Sequence, residues 1–137
     1  MGYDLERFVT EQDRVYEQVV EEISNGQKTG HWMWFIFPQI RGLGKSYMSG
    51  KFSLSGIGEA KAYLEHPVLG KRLILLSKQL LRHSDKSIVS ILGRPDHLKL
   101  KSSMTLFEAA SSDEVFAEVL ETFYNGGRCR RSLVYLK

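Results

Sequence analysis

Apolar side chains recur at helical spacing along most of the chain. Over residues 4–24 they fall at every third or fourth position, which is the pattern of a helix that buries one face. Asp4 can cap the start of this helix, and Asn25-Gly26 can end it because both residues tolerate a left-handed backbone. The buried face is predicted to hold Leu5, Phe8, Gln12, Val15, Tyr16, Val19, Val20 and Ile23.

Residues 31–37 depart from this pattern because they are apolar on every side apart from His31. Period alone does not separate a buried strand from a short buried helix. The flanking segments have a helical pattern and no partner strand is visible. We therefore favour a short buried helix at the centre of the core.

The rest of the chain predicts shorter helices that are separated by proline, glycine and serine. These helices cover residues 57–65, 67–83, 84–92, 95–110, 111–124 and 129–136. Pro67 is expected in the first turn of its helix. Ser84-Asp85 is expected to start the next one, and Ser111 or Ser112 to cap the helix that follows residue 110.

Length and composition fit one folded domain. The chain has 137 residues, 42% hydrophobic and 26% charged, which excludes disorder and predicts a single all-α domain over residues 1–137. The one cysteine, Cys129, excludes an internal disulfide and fits a cytoplasmic location. No apolar run approaches the ~20 residues of a membrane helix, so no membrane partner is expected. A net charge of +3 is too small to predict a nucleic-acid partner.

Several strings of residues, taken together, are typical of one family. They are His31–Gln39, Gly42-Leu43-Gly44, Ser46, Glu59-Ala60, Tyr63-Leu64, His66–Gly70, Arg72-Leu73, Asp96, Lys99-Leu100 and Ser102–Phe107. The chain resembles, over nearly its whole length, the family known as domain of unknown function 1810. The resemblance implies a compact multihelical fold with a short buried central helix, and it implies no established activity. Nothing in the chain supports the calpastatin-like label that is sometimes attached to the family.

The chain departs from the family at its C-terminal end. The family tends to end in Gly-x-x-Asp-x-x-Thr-Leu, whereas the corresponding residues here are Gly126, Cys129, Ser132 and Leu133. A thiol therefore occupies a position that is usually acidic, and no role of that acid can be transferred to this chain.

Two side chains are candidates for acid–base chemistry. His31 lies at the edge of the aromatic string, and imidazole groups in general titrate near neutral pH. Its structural alternative is to cap the buried helix or to bond a backbone carbonyl. Asp96 is predicted to orient His31, and its alternative is helix capping with a surface ion pair to Lys99.

A glycine-rich loop is the candidate for anion binding. The longest irregular stretch, 39–56, contains Gly42-Leu43-Gly44-Lys45-Ser46. A nucleotide-hydrolysing phosphate loop would need glycine at the position of Gln39 and a preceding parallel strand, so we reject that motif. Glycine-rich backbone can still present N–H groups to an anion, with Arg41 and Lys45 beside it. The alternative is a flexible loop with solvated charges.

The segment after Asp96 carries the densest set of polar residues. Three hydroxyls in a helix interior favour buried partners or a site. Trp32 can stack on a planar ligand, although such aromatic residues more often form core, and Gln39 is a polar edge of the aromatic string. The predicted ligand-binding set is Trp32, Gln39, Arg41, Gly42, Gly44, Lys45, Ser46, Lys99, Ser102, Ser103 and Thr105.

We expect no metal and no cofactor. The four histidines lack metal-ligand spacing to carboxylates or cysteines, and no nucleophile motif is present.

The sequence leaves three functional hypotheses open, and it does not predict the oligomeric state. The first is a site for an anionic or nucleotide-like small molecule, with acid–base chemistry as an option, which predicts that the candidate residues converge on one pocket. The alternative is a non-catalytic interaction or regulatory module with an exposed apolar patch. The third, ranked last, is nucleic-acid binding through Lys99, Lys101 and the basic residues 128–131, with strong salt dependence.

Overall fold

Nine helices follow one another along residues 2–136, the part of the chain that this computed structural model describes. They are α1 (Glu6–Ser24), α2 (Met33–Ile36), α3 (Tyr47–Lys51), α4 (Ile57–Glu65), α5 (Leu69–Leu81), α6 (Ile88–Leu92), α7 (Asp96–Ala110), α8 (Val115–Tyr124) and α9 (Arg130–Tyr135). The predicted all-α class is confirmed. α3 was not predicted, because its serine and glycine, with Ser46 just before it, resemble loop sequence.

The central helix α2 is short because its sequence cannot extend it. Pro38 disfavours helical backbone at the residue before it, and Phe37 accordingly has φ −124° and ψ 75°. Met33, Phe35 and Ile36 are buried, so the expected short helix at the centre of the core is confirmed.

A buried amide ties α2 to its neighbours. Gln12 of α1 donates from Nε2 to the Phe35 carbonyl at 2.7 Å and to the Tyr63 hydroxyl at 2.9 Å. Its Oε1 accepts from Arg72 Nη1 at 3.3 Å. Gln12 was predicted on the apolar face of α1, and the structure shows how a polar group is satisfied there.

Aromatic rings connect the helices across the core. The ring of Tyr63 on α4 lies 5.2 Å from Phe8 of α1 and 5.3 Å from Phe107 of α7, centroid to centroid. Phe107 in turn lies 5.7 Å from Phe116 of α8. One aromatic chain therefore holds four helices together. Across residues 2–136, every helix is too short or too polar to span a bilayer.

Several helix starts differ from the expected ones. α1 begins after Leu5, and Asp4 provides no side-chain cap. α5 begins at Leu69 and not at Pro67, because His66 Nδ1 accepts the backbone N–H groups of Val68 and Leu69 at 3.1 and 3.3 Å. The start of α5 is therefore set by the His66 side chain, and not by the Pro67 ring as expected.

Two further caps also lie later in the chain than predicted. α6 starts after Ser87, whose Oγ accepts from Ser90 N at 3.1 Å, and not at Ser84-Asp85. α8 starts at Val115, where Asp113 Oδ1 accepts the backbone N–H at 2.9 Å. Ser111 bonds Asp113 N instead of capping the helix directly.

Backbone hydrogen bonds join the two ends of the glycine-rich stretch. Arg41 N donates to the Leu54 carbonyl at 2.7 Å, and Leu54 N donates to the Gln39 carbonyl at 2.8 Å. Gly42 has φ +106° and lies beneath the Tyr135 ring, where an added Cβ would approach within 2.8 Å. This contact holds the loop against α9 and places one edge of the loop beside α7.

Candidate functional site

Two adjoining cavities lie along the first half of α7 and share Pro95 and Lys99 in their walls. We call the first the histidine cavity; its volume is about 380 Å³. We call the second the arginine cavity; its volume is about 510 Å³. The two together are referred to below as the basic cleft.

The histidine cavity is built from the segment before α2 and the start of α7. Its lining includes the side chains of Lys28, His31, Trp34, Arg94, Asp96 and Lys99. Lys28 Nζ lies 2.8 Å from Asp96 Oδ2, and Lys99 Nζ lies 3.6 Å from Asp96 Oδ1. Both lysines therefore share one carboxylate. No hydrogen bond joins His31 to Asp96 within residues 2–136, although both line this cavity.

Glu22 fixes the backbone that carries His31. Its Oε1 accepts from Thr29 N at 2.8 Å, Gly30 N at 2.9 Å and Trp32 Nε1 at 2.9 Å, and Gln18 donates to Oε2. Burial alone would raise the pKa of Glu22, but these four hydrogen bonds outweigh it and lower the pKa to about 2. The carboxylate is therefore charged and holds the segment in one conformation.

The arginine cavity is built from α7, the residues at the start of α9 and the glycine-rich loop. Its lining includes Gln39, Gly44, Lys101, Ser102, Cys129 and Arg131. Arg131 Nη2 contacts the Leu43 carbonyl at 3.4 Å, which connects α9 to the loop.

Cys129 lies between two hydroxyl-bearing residues of α7. Ser102 Oγ donates to Cys129 Sγ at 3.2 Å, and Cys129 N donates to Thr105 Oγ1 at 3.0 Å. Burial raises the pKa of the thiol, but hydrogen bonds from Ser102, Ser132 and the Arg131 backbone overcome this effect and lower the pKa below its ordinary value.

Arg128 is the one arginine of this cavity that is paired with acids within residues 2–136. Its Nε donates to Glu108 Oε1 at 2.9 Å, and Nη1 lies 3.6 Å from Glu121 Oε1. Lys101, Arg130 and Arg131 form no ion pair with a carboxylate in the same described range.

Six of the sequence-predicted site residues line the basic cleft. These are His31, Gln39, Gly44, Asp96, Lys99 and Ser102, with Lys99 in both cavities. Trp34, which is not in the predicted set, also lines the histidine cavity.

The structure places the other predicted residues away from the cleft, for three physical reasons. Trp32, Ser103 and Thr105 are buried in the core, and Trp32 is held there by Glu22. Arg41 and Lys45 extend into solvent outside both cavities. Gly42 lies beneath Tyr135, and the Ser46 hydroxyl caps α3 by accepting from Ser49 N.

Sequence reasoning missed Lys28, Arg94 and Cys129 as cleft residues, and it placed the arginines near Cys129 in a different hypothesis. The available signal was weak, because isolated cations on a helical chain are usually solvated. Within residues 2–136, no group of three or more His, Cys, Asp or Glu side chains could hold a metal ion.

The fold and the cleft define a small all-helical protein with a basic cleft in its surface. The chain belongs to the family described as protein of unknown function (DUF1810), whose model matches residues 2–136. The resemblance seen in the sequence is thereby confirmed. No curated protein matches the chain.

A solved structure shares this fold. The chain is similar to the conserved hypothetical protein Rv1873 from Mycobacterium tuberculosis, with 47% identity and a TM-score of 0.96. The match covers 98% of this chain and 96% of that one. Neither the family description nor this structure states an activity, so the function must be argued from the cleft.

Proposed function

We propose that the basic cleft binds an anionic small molecule. The observation that supports this most directly is the balance of charge in its walls: seven basic residues line the two cavities against one acidic residue, Asp96. The basic residues are Lys28, Arg94, Lys99, Lys101, Arg128, Arg130 and Arg131. They come from separate parts of the chain, so the fold, and not proximity in the sequence, brings these charges together.

The size and polarity of the cleft support a small ligand. Cavities of about 380 and 510 Å³ fall in the range of small-molecule sites. Ser102, Gln39 and the backbone of Gly44 add hydrogen-bonding groups to the cationic walls. The interaction-module hypothesis predicts no such convergence of polar groups, so the cleft favours the first hypothesis over it.

We assign binding, and not acid–base chemistry, as the function of the cleft. Asp96 is engaged by two ammonium groups, and within residues 2–136 it makes no hydrogen bond to His31. A carboxylate held in this way is poorly placed to orient an imidazole. His31 instead offers an exposed polar ring to a bound molecule.

A thermal-shift screen of the full chain tests this function. Nucleotides, ADP-ribose derivatives and phosphorylated metabolites are compared with their uncharged counterparts at constant ionic strength. We expect anionic compounds to raise Tm progressively with concentration, because a ligand that binds only the folded state stabilises it by mass action.

Matched lysine variants locate the effect. Lys99→Gln removes the cation shared by both cavities, whereas Lys61→Gln removes an exposed cation on α4. The rise in Tm should shrink in the first variant and persist in the second. The proposal fails if no anion stabilises the chain, or if the two variants respond alike.

A further inference from the structure

The basic cleft has two chemically different ends, and this difference predicts how a ligand lies in it. Resting on the function proposed above, we infer that the ligand is an organic phosphate with its phosphate in the arginine cavity and its uncharged part in the histidine cavity. The inference depends on which cations are neutralised by the protein itself.

In the histidine cavity, Asp96 engages both lysines and leaves Arg94 as the one lysine or arginine without an ion pair within residues 2–136. Lys28 Nζ is 2.8 Å from Asp96 Oδ2 and also donates to the Gly30 carbonyl at 2.6 Å. Lys99 Nζ lies 3.6 Å from the other oxygen of Asp96 and 5.0 Å from the centroid of the Trp34 ring. A further anion would compete with Asp96 for both ammonium groups and would find only Arg94 unpaired, so this end suits an uncharged group better than the arginine cavity does.

The arginine cavity has the opposite balance. Its lining contains five basic residues and no aspartate or glutamate. Arg128 is occupied by Glu108, but Lys101, Arg130 and Arg131 face no carboxylate partner within residues 2–136. This charge is therefore left for a ligand to neutralise.

The types of donor favour phosphate over a single carboxylate. Guanidinium groups offer paired N–H donors that match phosphate oxygens, and several cations exceed what one carboxylate can neutralise. Arg131 is held near the loop by its contact with the Leu43 carbonyl, and Gln39 lines the same cavity. A phosphate or diphosphate carries the matching charge and number of acceptors.

The uncharged part of the ligand has partners at the other end of the cleft. Trp34 offers a half-buried aromatic side chain, and Thr29 and His31 offer polar groups, all in the histidine cavity. Lys99 lies in both cavities and is placed to contact the junction between the two parts of the ligand. A phosphorylated molecule with a planar or hydroxyl-rich body fits this division.

Cys129 provides a direct reporter, because it lines the arginine cavity and is the one cysteine of the chain. The experiment measures the rate of alkylation of the full chain by iodoacetamide, with and without inorganic pyrophosphate, at ionic strength matched with sodium chloride. At a pyrophosphate concentration about four times its Kd, occupancy of the cavity should slow alkylation about fivefold.

Variants separate a specific site from general screening. Each variant is judged by its own ratio of rates with and without pyrophosphate, so that a change in thiol reactivity cancels. Arg131→Gln and Lys101→Gln should weaken the protection, whereas Arg14→Gln, which removes an exposed arginine from α1, should retain it. Equal protection in all three variants would overturn the inference.

A second probe tests the orientation. His31→Gln should weaken the affinity for adenosine 5′-monophosphate and leave the affinity for pyrophosphate unchanged, whereas Arg131→Gln should weaken both. If phosphate compounds raise Tm but never protect Cys129, the orientation is wrong and the proposed function stands. If they neither raise Tm nor protect Cys129, both fail.

Discussion

At the scale of single residues, Glu22 shows how one buried carboxylate organises the approach to the cleft. It accepts four hydrogen bonds and is almost inaccessible, with 7% of its surface exposed. Its pKa of about 2 lies below the ordinary glutamate value of 4.5, so the ionised form is stabilised by folding.

Glu22→Gln should therefore lower the free energy of unfolding by about 3 kcal/mol at pH 7, since glutamine resembles the protonated carboxyl. Because the folded pKa is depressed, this stabilisation is complete above pH 4.5 and is lost as the pH falls towards 2. Urea unfolding of wild type and variant at pH 7 and pH 3.5 measures it. The difference in the free energy of unfolding between wild type and Glu22→Gln should be smaller at pH 3.5 than at pH 7.

Glu21→Gln is the matched control, because it removes a charge from the adjacent, exposed position of α1. It should change stability by less than about 0.5 kcal/mol. A Glu22→Gln variant as stable as this control, or a gap between wild type and Glu22→Gln that is constant with pH, would contradict the role given to Glu22.

Asp96 gives a second prediction at this scale. Asp96→Asn leaves the Lys28 ammonium, whose side chain is 8% exposed, without its carboxylate. Removing one partner of such a pair should cost about 2 kcal/mol of stability, less than for a fully buried pair. Urea unfolding beside Asp85→Asn, which changes an exposed aspartate, measures the difference. Equal effects of the two variants would show that the pair is unimportant.

At the scale of elements, the contact between α4 and α5 depends on one glycine. Gly70 is the second residue of α5 and is buried. A Cβ at this position would come within 2.0 Å of the Leu64 carbonyl oxygen, which is backbone and cannot rotate away. The two helices can approach this closely only without a side chain at Gly70.

Gly70→Ala should thus lower stability by about 3 kcal/mol or prevent folding, because the helices must separate. Gly50→Ala is the control: Gly50 is a glycine of α3 with open space around its Cα, and alanine there should be neutral or slightly stabilising. The melting temperatures of the two variants, with circular dichroism as the readout of thermal unfolding, compare their stabilities. A tolerated Gly70→Ala would show that the packing of α4 on α5 is looser than described.

Every helix except α3 was predictable from the sequence, whereas the starts of several helices were not. The apolar period of α1 and the continuous apolar run of α2 are local signals that burial enforces. The starts of α5 and α6 depend on which side chain reaches the free N–H groups. His66 and Ser87 accept hydrogen bonds from these N–H groups, whereas the nearby Pro67 and Ser84 do not. The spacing of apolar residues carries no information about this choice.

At the scale of the whole molecule, the cleft is a product of tertiary structure. The sequence suggested Lys99 for a small-molecule site and the basic residues 128–131 for nucleic acid, as separate hypotheses. The contacts of α7 with α9 bring both sets into adjoining cavities. Residues such as Trp32 and Ser103 have side chains suited to ligand binding. They are buried in the packed core, however, so a ligand in the cleft cannot contact them.

The central claim is that the basic cleft is a binding site for an organic phosphate. It is tested most directly by titrating the full, ¹⁵N-labelled chain with adenosine 5′-monophosphate at constant ionic strength and following the amide resonances. We predict saturable changes that cluster at Gly30-His31, Gly44, Lys99–Ser102 and Cys129–Arg131. Spectra that do not change at millimolar ligand, or changes that cluster away from these segments, would contradict the claim.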